Sequence, residues 1–407
     1  MEIRPIFSAL LRSKTGAILI AAQIALTLAI ISNALYVVQD RLARSQRPSG
    51  IDEANSFYLF FGAVGEVDDP EAMQRRDVEA LRAIPGVASA AWVNQFPMAQ
   101  SGWGLGLSTR PEDPSSGVAA AAYFTPHPVT EAFGVKLVEG RDFTPADVRT
   151  VDPETGSLEA DTVILTQALA KRLFPDDASV VGKTVSLGNG DDAVPMRVVG
   201  VIERLMSPFA QSGDTAYDSF VLPVRHLVST GSYLVRTEPG QRDRVMRDAE
   251  EALAKLGNDR VLVFNDSAED RRRQRYQAET SVASMLIAVT VGLLLVTASG
   301  IVGLASLWVT QRRKQIGVRR ALGARRFDIL RYFMLENLMI TSTGIVAGIG
   351  LALALNQLLV SKLELPRLPL AHLGVGMLIL WALGILAVYG PAWRAAAVPP
   401  ATATRSA

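Results

Sequence analysis

The sequence contains no cysteine and only three histidines, so several kinds of chemistry have no residues to support them. Without cysteine there is no disulfide framework, zinc–thiolate site or thiol nucleophile. His127, His226 and His372 lie far apart, and no HExxH motif occurs. The sequence therefore predicts neither a metal centre nor a cofactor bound by this chain.

Charge is also unevenly distributed. Residues 40–279 carry 26 basic and 36 acidic side chains, a net charge of −10, whereas the rest of the chain carries 15 basic and 4 acidic side chains, a net charge of +11. The basic residues lie between apolar runs and not on a compact basic domain, which argues against a nucleic-acid partner.

Four long stretches lack charge altogether: residues 15–39, 280–311, 337–361 and 368–393. About 20 apolar residues suffice for a helix to cross a bilayer, so the sequence predicts four transmembrane helices. The first stretch follows a basic start and contains small residues at 32–34, which leaves a cleaved signal peptide as an alternative.

The connection between the second and third spans is strongly basic. Its basic residues are Arg312, Arg313, Lys314, Arg319, Arg320, Arg325, Arg326 and Arg331, with Asp328 as the one acid among them. The positive-inside rule places this connection in the cytoplasm. Both termini are then also cytoplasmic, and the acidic loop of residues 40–279 is external.

The large loop shows two strand–helix–strand units, one at each end. The first covers residues 57–61, 78–84 and 87–93, and the second covers residues 233–235, 245–256 and 261–264. This order predicts a ferredoxin-like split fold with a second lobe inserted between the units. Ser267 and Asp270 form a capping pair for a stalk helix that we expect to continue unbroken into the second span.

Several segments resemble a known family. The sequence Q-I-G-V-R-R-A-L-G-A at 315–324 is similar to the signature of the FtsX-like permease domain of MacB-type ABC transporter permeases. The segments G-R-D-F-T-P-A-D at 140–147, V-I-L-T-Q-A-L-A-K-R-L-F-P at 163–175, V-G-K-T-V-S-L at 181–187 and R-V-V-G-V-I at 197–202 resemble the MacB-type periplasmic core, and residues 390–405 resemble the family's closing tail. Gln315 departs from the Glu that is common in the family, and the tail lacks an acid near Pro400.

The resemblance implies an α+β membrane protein with a large two-lobed periplasmic α+β domain between transmembrane helices 1 and 2. The implied segments are 1–16 (cytoplasmic), 17–38 (helix 1), 39–279 (periplasmic, with a membrane-proximal lobe at about 50–95 and 230–266, a distal lobe at about 96–229 and a stalk at 266–279), 280–310 (helix 2), 311–331 (cytoplasmic coupling segment), 332–360 (helix 3), 361–369 (periplasmic), 370–392 (helix 4) and 393–407 (cytoplasmic).

It also implies a permease of the bacterial inner membrane that has no catalytic residues of its own. A separate cytoplasmic ABC ATPase would bind ATP and Mg²⁺, and the permease would pass its closure to the periplasm to drive efflux. The other implied partners are a second permease subunit in a homo- or heterodimer, a periplasmic adaptor with an outer-membrane channel, and membrane lipid. The expected ATPase contact is formed by Gln315, Ile316, Gly317, Val318, Arg319, Arg320, Ala321, Leu322, Gly323 and Ala324. Within it, Ile316, Val318 and Leu322 would fill an apolar groove, and Gly317 and Gly323 would permit close approach or a bend.

Two further motifs bear on function and on helix packing. Gly182-Lys183-Thr184 completes half of a phosphate-binding loop, but Asp177 stands where the first glycine is needed, which favours a plain strand turn. Gly344 and Gly348 form a G-x-x-x-G pattern that permits close helix packing in the third span. Polar residues in the spans, among them Asn33 and Asn356, need hydrogen-bond partners in lipid.

Two other functions within the same resemblance stay open. The chain could transmit a signal that activates a periplasmic enzyme, as in the FtsX branch, or it could release lipoproteins from the membrane. A membrane-anchored hydrolase is the weakest alternative, since no nucleophile, base and orienting group stand out together.

Overall fold

The computed structural model describes residues 14–65, 67–154, 156, 158–210, 213–257, 260–363 and 367–397. The chain divides into two compact units, residues 45–277 and residues 1–44 with 278–407, and each is described by itself. The expectations for residues 1–13 and 398–407, and part of the connection at 361–369, lie outside the described residues.

The elements are named here in chain order. They are α1 (Lys14–Ser45), β1 (Ser56–Ala63), α2 (Pro70–Arg82), β2 (Val87–Trp92), β3 (Gly104–Ser108), β4 (Val118–Phe124), α3 (Val129–Phe133), β5 (Leu137–Gly140), β6 (Arg149–Val151), β7 (Thr162–Thr166), α4 (Gln167–Leu173), β8 (Thr184–Leu187), β9 (Val194–Ile202), β10 (Ser219–Leu222), β11 (Val224–His226), β12 (Gly231–Thr237), α5 (Arg242–Ala254), β13 (Arg260–Ser267), α6 (Ala268–Arg275), α7 (Gln277–Gln311), α8 (Arg313–Ala321), α9 (Arg326–Leu363) and α10 (Leu370–Ala396).

The first sheet of the β-rich unit joins the two ends of its sequence. It is antiparallel with strand order β13-β1-β12-β2, so Phe57 faces Val235 and Tyr233 faces Trp92. Helices α2 and α5 bury Leu81 and other apolar side chains in the same hydrophobic cluster as this sheet. This strand order is the ferredoxin-like split arrangement, as predicted from the two strand–helix–strand units.

A second, seven-stranded sheet is formed by the inserted residues. Its order is β5-β9-β7-β10-β4-β3-β8, and β8 also pairs with β9, so six strands close into a ring and β5 stands outside it. Thr166 caps α4 by accepting a hydrogen bond from the backbone amide of Leu169. One cluster of buried side chains runs through both sheets, so the two lobes share a core.

The G-R-D-F-T-P-A-D segment makes a tight corner after β5. Gly140 has a φ of +77°, and a Cβ there would lie 2.2 Å from the carbonyl oxygen of Val199, so only glycine fits. Asp142 accepts hydrogen bonds from the first backbone amides of α3. Arg141 donates two hydrogen bonds to Asp147, at 2.7 and 2.8 Å. The corner is thus held by its own side chains.

The two ends of the β-rich unit are tied together by Arg272 of α6. Its guanidinium donates to the carbonyl oxygens of Ser45 and Arg47, both at 2.7 Å, and forms an ion pair with Glu53. The segment that enters the unit is therefore bound to the helix that leaves it. Three partners on one guanidinium use the fixed geometry that distinguishes arginine from lysine.

The stalk helix is interrupted, which corrects the prediction of an unbroken helix into the second span. Ser267 caps α6 as expected, but α6 ends at Arg275, and Tyr276 has a ψ of 11° before α7 begins. The reason is tertiary: the Tyr276 ring is buried among Met98, Met206 and Ala210. The free energy gained by burying the Tyr276 ring exceeds the cost of interrupting the helix at this residue.

Within the described part of the chain, four helices are long and apolar enough to cross a membrane, as predicted: Thr15–Ser45, Gln277–Gln311, Arg326–Lys362 and Leu370–Ala396. The third begins earlier than the predicted residue 332. Asp328 accepts a hydrogen bond from the backbone amide of Arg325 and so closes the first turn of α9 there.

Helix α1 packs directly on the small residues of α9. A Cβ on Gly344 would lie 2.7 Å from the carbonyl oxygen of Ala21, and one on Gly348 would lie 3.0 Å from the backbone of Ala25. The G-x-x-x-G face is therefore covered within this chain by α1, and its close contact is with the first span.

Polar side chains in the bundle pair with one another. Asn356 donates to Asn33 at 3.2 Å, and Asn33 also donates to the carbonyl oxygen of Ala352. Thr27 and Thr297 hydrogen-bond at 2.9 Å between α1 and α7. These contacts confirm that such residues bond between helices.

We expect Gly348→Leu to destabilise the bundle by about 1–3 kcal/mol, because the added side chain meets the backbone of α1. Gly350→Leu is the matched control, since a Cβ at Gly350 has nothing within 4 Å. Thermal unfolding of the full chain in nanodiscs measures the difference. Equal unfolding temperatures for the two variants would contradict the α1–α9 contact.

We expect Asp147→Asn to cost about 1.5–3 kcal/mol at neutral pH, the range for hydrogen bonds to charged groups. The hydrogen bonds from Arg141 hold the pKa of Asp147 well below its usual range. A carboxyl group whose pKa is lower in the folded than in the unfolded protein stabilises the fold at pH values above its unfolded pKa of about 4. This stabilisation is lost as the pH falls towards the pKa of the folded state. The difference between wild type and variant in thermal unfolding should therefore shrink below about pH 4. A difference independent of pH would refute the ion-pair explanation.

Candidate functional site

Helix α8 is a short amphipathic helix between the second and third spanning helices. Val318 is 52% exposed and Leu322, directly after the helix, is 83% exposed, and Gln315 lies on the same side. Ile316, on the opposite side, is 5% exposed and packs in the hydrophobic cluster of the spanning helices. The spacing of 315, 318 and 322 places these three side chains on one helical face. This face is called the open face of α8 below.

The opposite side of α8 is anchored by basic side chains. Arg312, which precedes the helix, donates to both carboxylate oxygens of Glu336 at 2.9 and 2.8 Å. Arg320 donates to the carbonyl oxygen of Ala396 at the end of α10. Arg319 is exposed at the edge of the open face, and its guanidinium lies over the ring of Tyr332, 5.1 Å from the ring centre. Three basic residues of the segment therefore hold α8 against α9 and α10.

A glycine ends the segment. Gly323 has a φ of +98°, the left-handed conformation that favours glycine, and the backbone amide of Ala324 bonds back to the carbonyl of Arg319. Gly317, in contrast, is buried within α8. The bend of the segment thus occurs at Gly323.

The structure separates the ten predicted contact residues into two groups. Gln315, Val318, Arg319, Ala321, Leu322 and Gly323 are exposed, whereas Ile316 and Gly317 are buried and Arg320 and Ala324 are partly buried. The prediction that Ile316 fills a partner's groove is wrong, since its side chain already packs inside this chain. The sequence alone did not reveal which apolar residue points inward, because the segment is too short to show its period clearly.

Glu336 is the site residue that sequence reasoning missed. It is 1% exposed, and in the sequence it directly precedes the uncharged run that begins at Asn337. The sequence feature that could have indicated Glu336 is a single acidic residue at the start of an apolar run, close in sequence to eight basic residues.

Other candidate chemistry is accounted for by local contacts. Lys183 forms an ion pair with Asp177 and lies over the ring of Phe174. His127 lies in a loop beside Arg82, and burial lowers its pKa to about 4, so it is neutral at neutral pH. Among the residues that the structure describes, no group of three His, Cys, Asp or Glu side chains is placed to hold a metal ion.

Two family models match the chain, in the order of its two units. The MacB-like periplasmic core domain matches residues 17–252, more than half of the chain, and the FtsX-like permease C-terminal domain matches residues 287–400. The chain therefore belongs to the family of MacB-like, FtsX-type ABC transporter permeases. It is a membrane protein whose periplasmic core domain is the β-rich unit between the first and second spanning helices.

Its relatives among characterised proteins are named for export. The macrolide export ATP-binding/permease protein MacB of Bradyrhizobium diazoefficiens is 30% identical over 66% of this chain and 41% of the relative. The MacB protein of Shigella boydii is 27% identical over 83% of this chain and 50% of the relative, and that of Acinetobacter baylyi is 26% identical over 66% and 40%. The chain thus spans half or less of the length of these relatives.

We expect single cysteines to report the two faces of α8 without interference, because the natural chain has none. Maleimide labelling in nanodiscs should be about tenfold faster at Val318→Cys and Leu322→Cys than at Ile316→Cys, since reactivity follows exposure. Comparable rates at positions 316 and 322 would contradict the orientation of α8.

Proposed function

We propose that this chain is the permease subunit of an ABC transporter and that a separate ATPase docks on the open face of α8. One observation carries the proposal: Val318 and Leu322 are exposed side by side on a short helix that is anchored on its other side. An exposed apolar pair on a rigid support, surrounded by arginines, suits a groove lined by apolar residues and edged with acidic ones.

ATP hydrolysis is assigned to the partner. The half-motif at Gly182 supports this assignment, because it lies in the periplasmic core domain and its lysine is engaged by Asp177. On this proposal the partner binds ATP and Mg²⁺, and this chain supplies no catalytic group. Six basic residues between α7 and α9, with Arg326 and Arg331 in the first turns of α9, support a cytoplasmic position for α8 and for both termini.

The proposed cycle follows from these contacts. Closure of the ATPase moves α8, and the contacts of α8 with α9 and α10 pass this motion to the spanning helices. Two permease subunits would place the paired ATPases opposite each other, and a periplasmic adaptor with an outer-membrane channel would complete the route of export. The names of the relatives support export as the output.

We expect Leu322→Asp to lower permease-stimulated ATP hydrolysis at least about tenfold in the reconstituted complex, because a carboxylate would be buried against an apolar groove. Phe327→Asp is the matched control, since Phe327 is also exposed but lies on α9. Circular dichroism should show both variants folded.

Full stimulation by Leu322→Asp would refute docking at α8. An equal loss in Phe327→Asp would show that the whole basic connection, and not the open face, contacts the ATPase.

A further inference from the structure

The ion pair between Arg312 and Glu336 lies at the base of α8. The Arg312 side chain is 18% exposed and that of Glu336 1% exposed, and one nitrogen, Nη1, donates to both carboxylate oxygens, at 2.9 and 2.8 Å. Glu336 lies three turns into α9, on the same spanning helix whose glycines contact α1. The pair therefore links the start of α8 to the interior of the bundle.

Arg312 also marks a break in the helical backbone. Helix α7 ends at Gln311, and Arg312 has φ −98° and ψ 10°, outside the helical conformation, before α8 begins at Arg313. A junction of this kind can bend. Any movement of α8 could then be absorbed at this junction and never reach the spanning helices.

The ion pair holds the junction residue itself against α9. Removing one partner of a buried ion pair leaves the other charge uncompensated, whereas apolar pairs of similar size are often equally stable. Stability alone therefore does not call for a charged pair here. Its directional bonds do define the position of the junction against α9, which an apolar contact would leave less specific.

We propose that Arg312 and Glu336 are positioning residues that couple α8 to the third spanning helix, so that motion of α8 is passed to α9. The inference rests on the proposed function and adds a division of labour to it. The open face, with Val318 and Leu322, binds the ATPase, and the buried pair transmits its movement.

The test compares two neighbouring arginines. Arg312→Gln and Arg313→Gln make the same change of charge one residue apart, but Arg313 is exposed and Arg312 holds Glu336. Glu336→Gln removes the other half of the pair. Arg312→Lys is the conservative variant, because both bonds come from a single nitrogen that an ammonium group can imitate.

Two measurements are made on the full chain in nanodiscs. Hydrogen–deuterium exchange of the α8 amides, without any partner, should be at least about tenfold faster in Arg312→Gln and Glu336→Gln than in wild type and Arg313→Gln. When Arg312→Gln or Glu336→Gln is titrated with the ATPase, the ATPase concentration that gives half-maximal stimulation should match that of wild type. The maximal stimulation of ATP hydrolysis should fall at least about fivefold. Arg312→Lys should restore most of the exchange protection and most of the maximal stimulation.

The outcomes separate the two claims. Unchanged exchange in Glu336→Gln, or full maximal stimulation despite faster exchange, would overturn the inference while leaving docking intact. A higher half-saturating ATPase concentration with full maximal stimulation would also overturn it, because the ion pair would then contribute to ATPase binding and not to transmission. Absence of any stimulation in the wild-type chain would refute the proposed function, and this inference with it.

Where the single variants fail to fold, the charge-exchanged variant Arg312→Glu with Glu336→Arg decides the question. Recovery of exchange protection together with stimulation supports the inference. Recovery of folding and protection without stimulation overturns it.

Discussion

The contact between α1 and α9 at Gly344 and Gly348 is the constraint on which the bundle depends. Helix α1 is separated from the other spans in sequence by the whole periplasmic core domain, so no short loop can hold it in place. Lipid offers no hydrophobic drive for helices to associate, and close packing on small residues takes its place. The hydrogen bonds of Asn33 and Thr27 then fix the rotation of α1.

A similar constraint acts in the periplasmic core domain. Its chain enters at Ser45 and leaves at Gln277, and Arg272 binds the entering segment at two carbonyl groups and at Glu53. The antiparallel pairing of β1 with β12 and β13 joins the same two ends of the sequence. The first and last segments of the domain are therefore bound to each other by side-chain contacts as well as by strand pairing.

Much of this architecture could be predicted from the sequence, because its signals are local. Charge-free runs define the spans, and the two strand–helix–strand units define the first sheet. The ring of the second sheet could not be predicted, since it needs β3 to pair with β8, and strand pairing between segments this far apart in the sequence leaves no periodic trace. The break at Tyr276 also escaped prediction, because helix propensity is overridden there by burial of a single ring.

The candidate site was predicted in part for the same reason. Its place in the chain followed from basic residues between two apolar runs, but the inward side of α8, with Ile316, and the buried partner of Arg312 depend on tertiary packing. On the proposed function, anchoring and docking use different faces of one helix. This separation would allow a movement of the ATPase to reach the membrane helices.

Photo-cross-linking from α8 tests the central claim most directly. A photoreactive amino acid placed at position 322 in living cells should form an adduct with a nucleotide-hydrolysing protein, identified by mass spectrometry and shown to be stimulated by this chain. The same residue at Gly303 of α7, where a Cβ has nothing within 4 Å, should not form that adduct. If the photoreactive amino acid formed no adduct with such an ATPase at position 322, nor at position 318, in cells where the chain is active, the account would be contradicted.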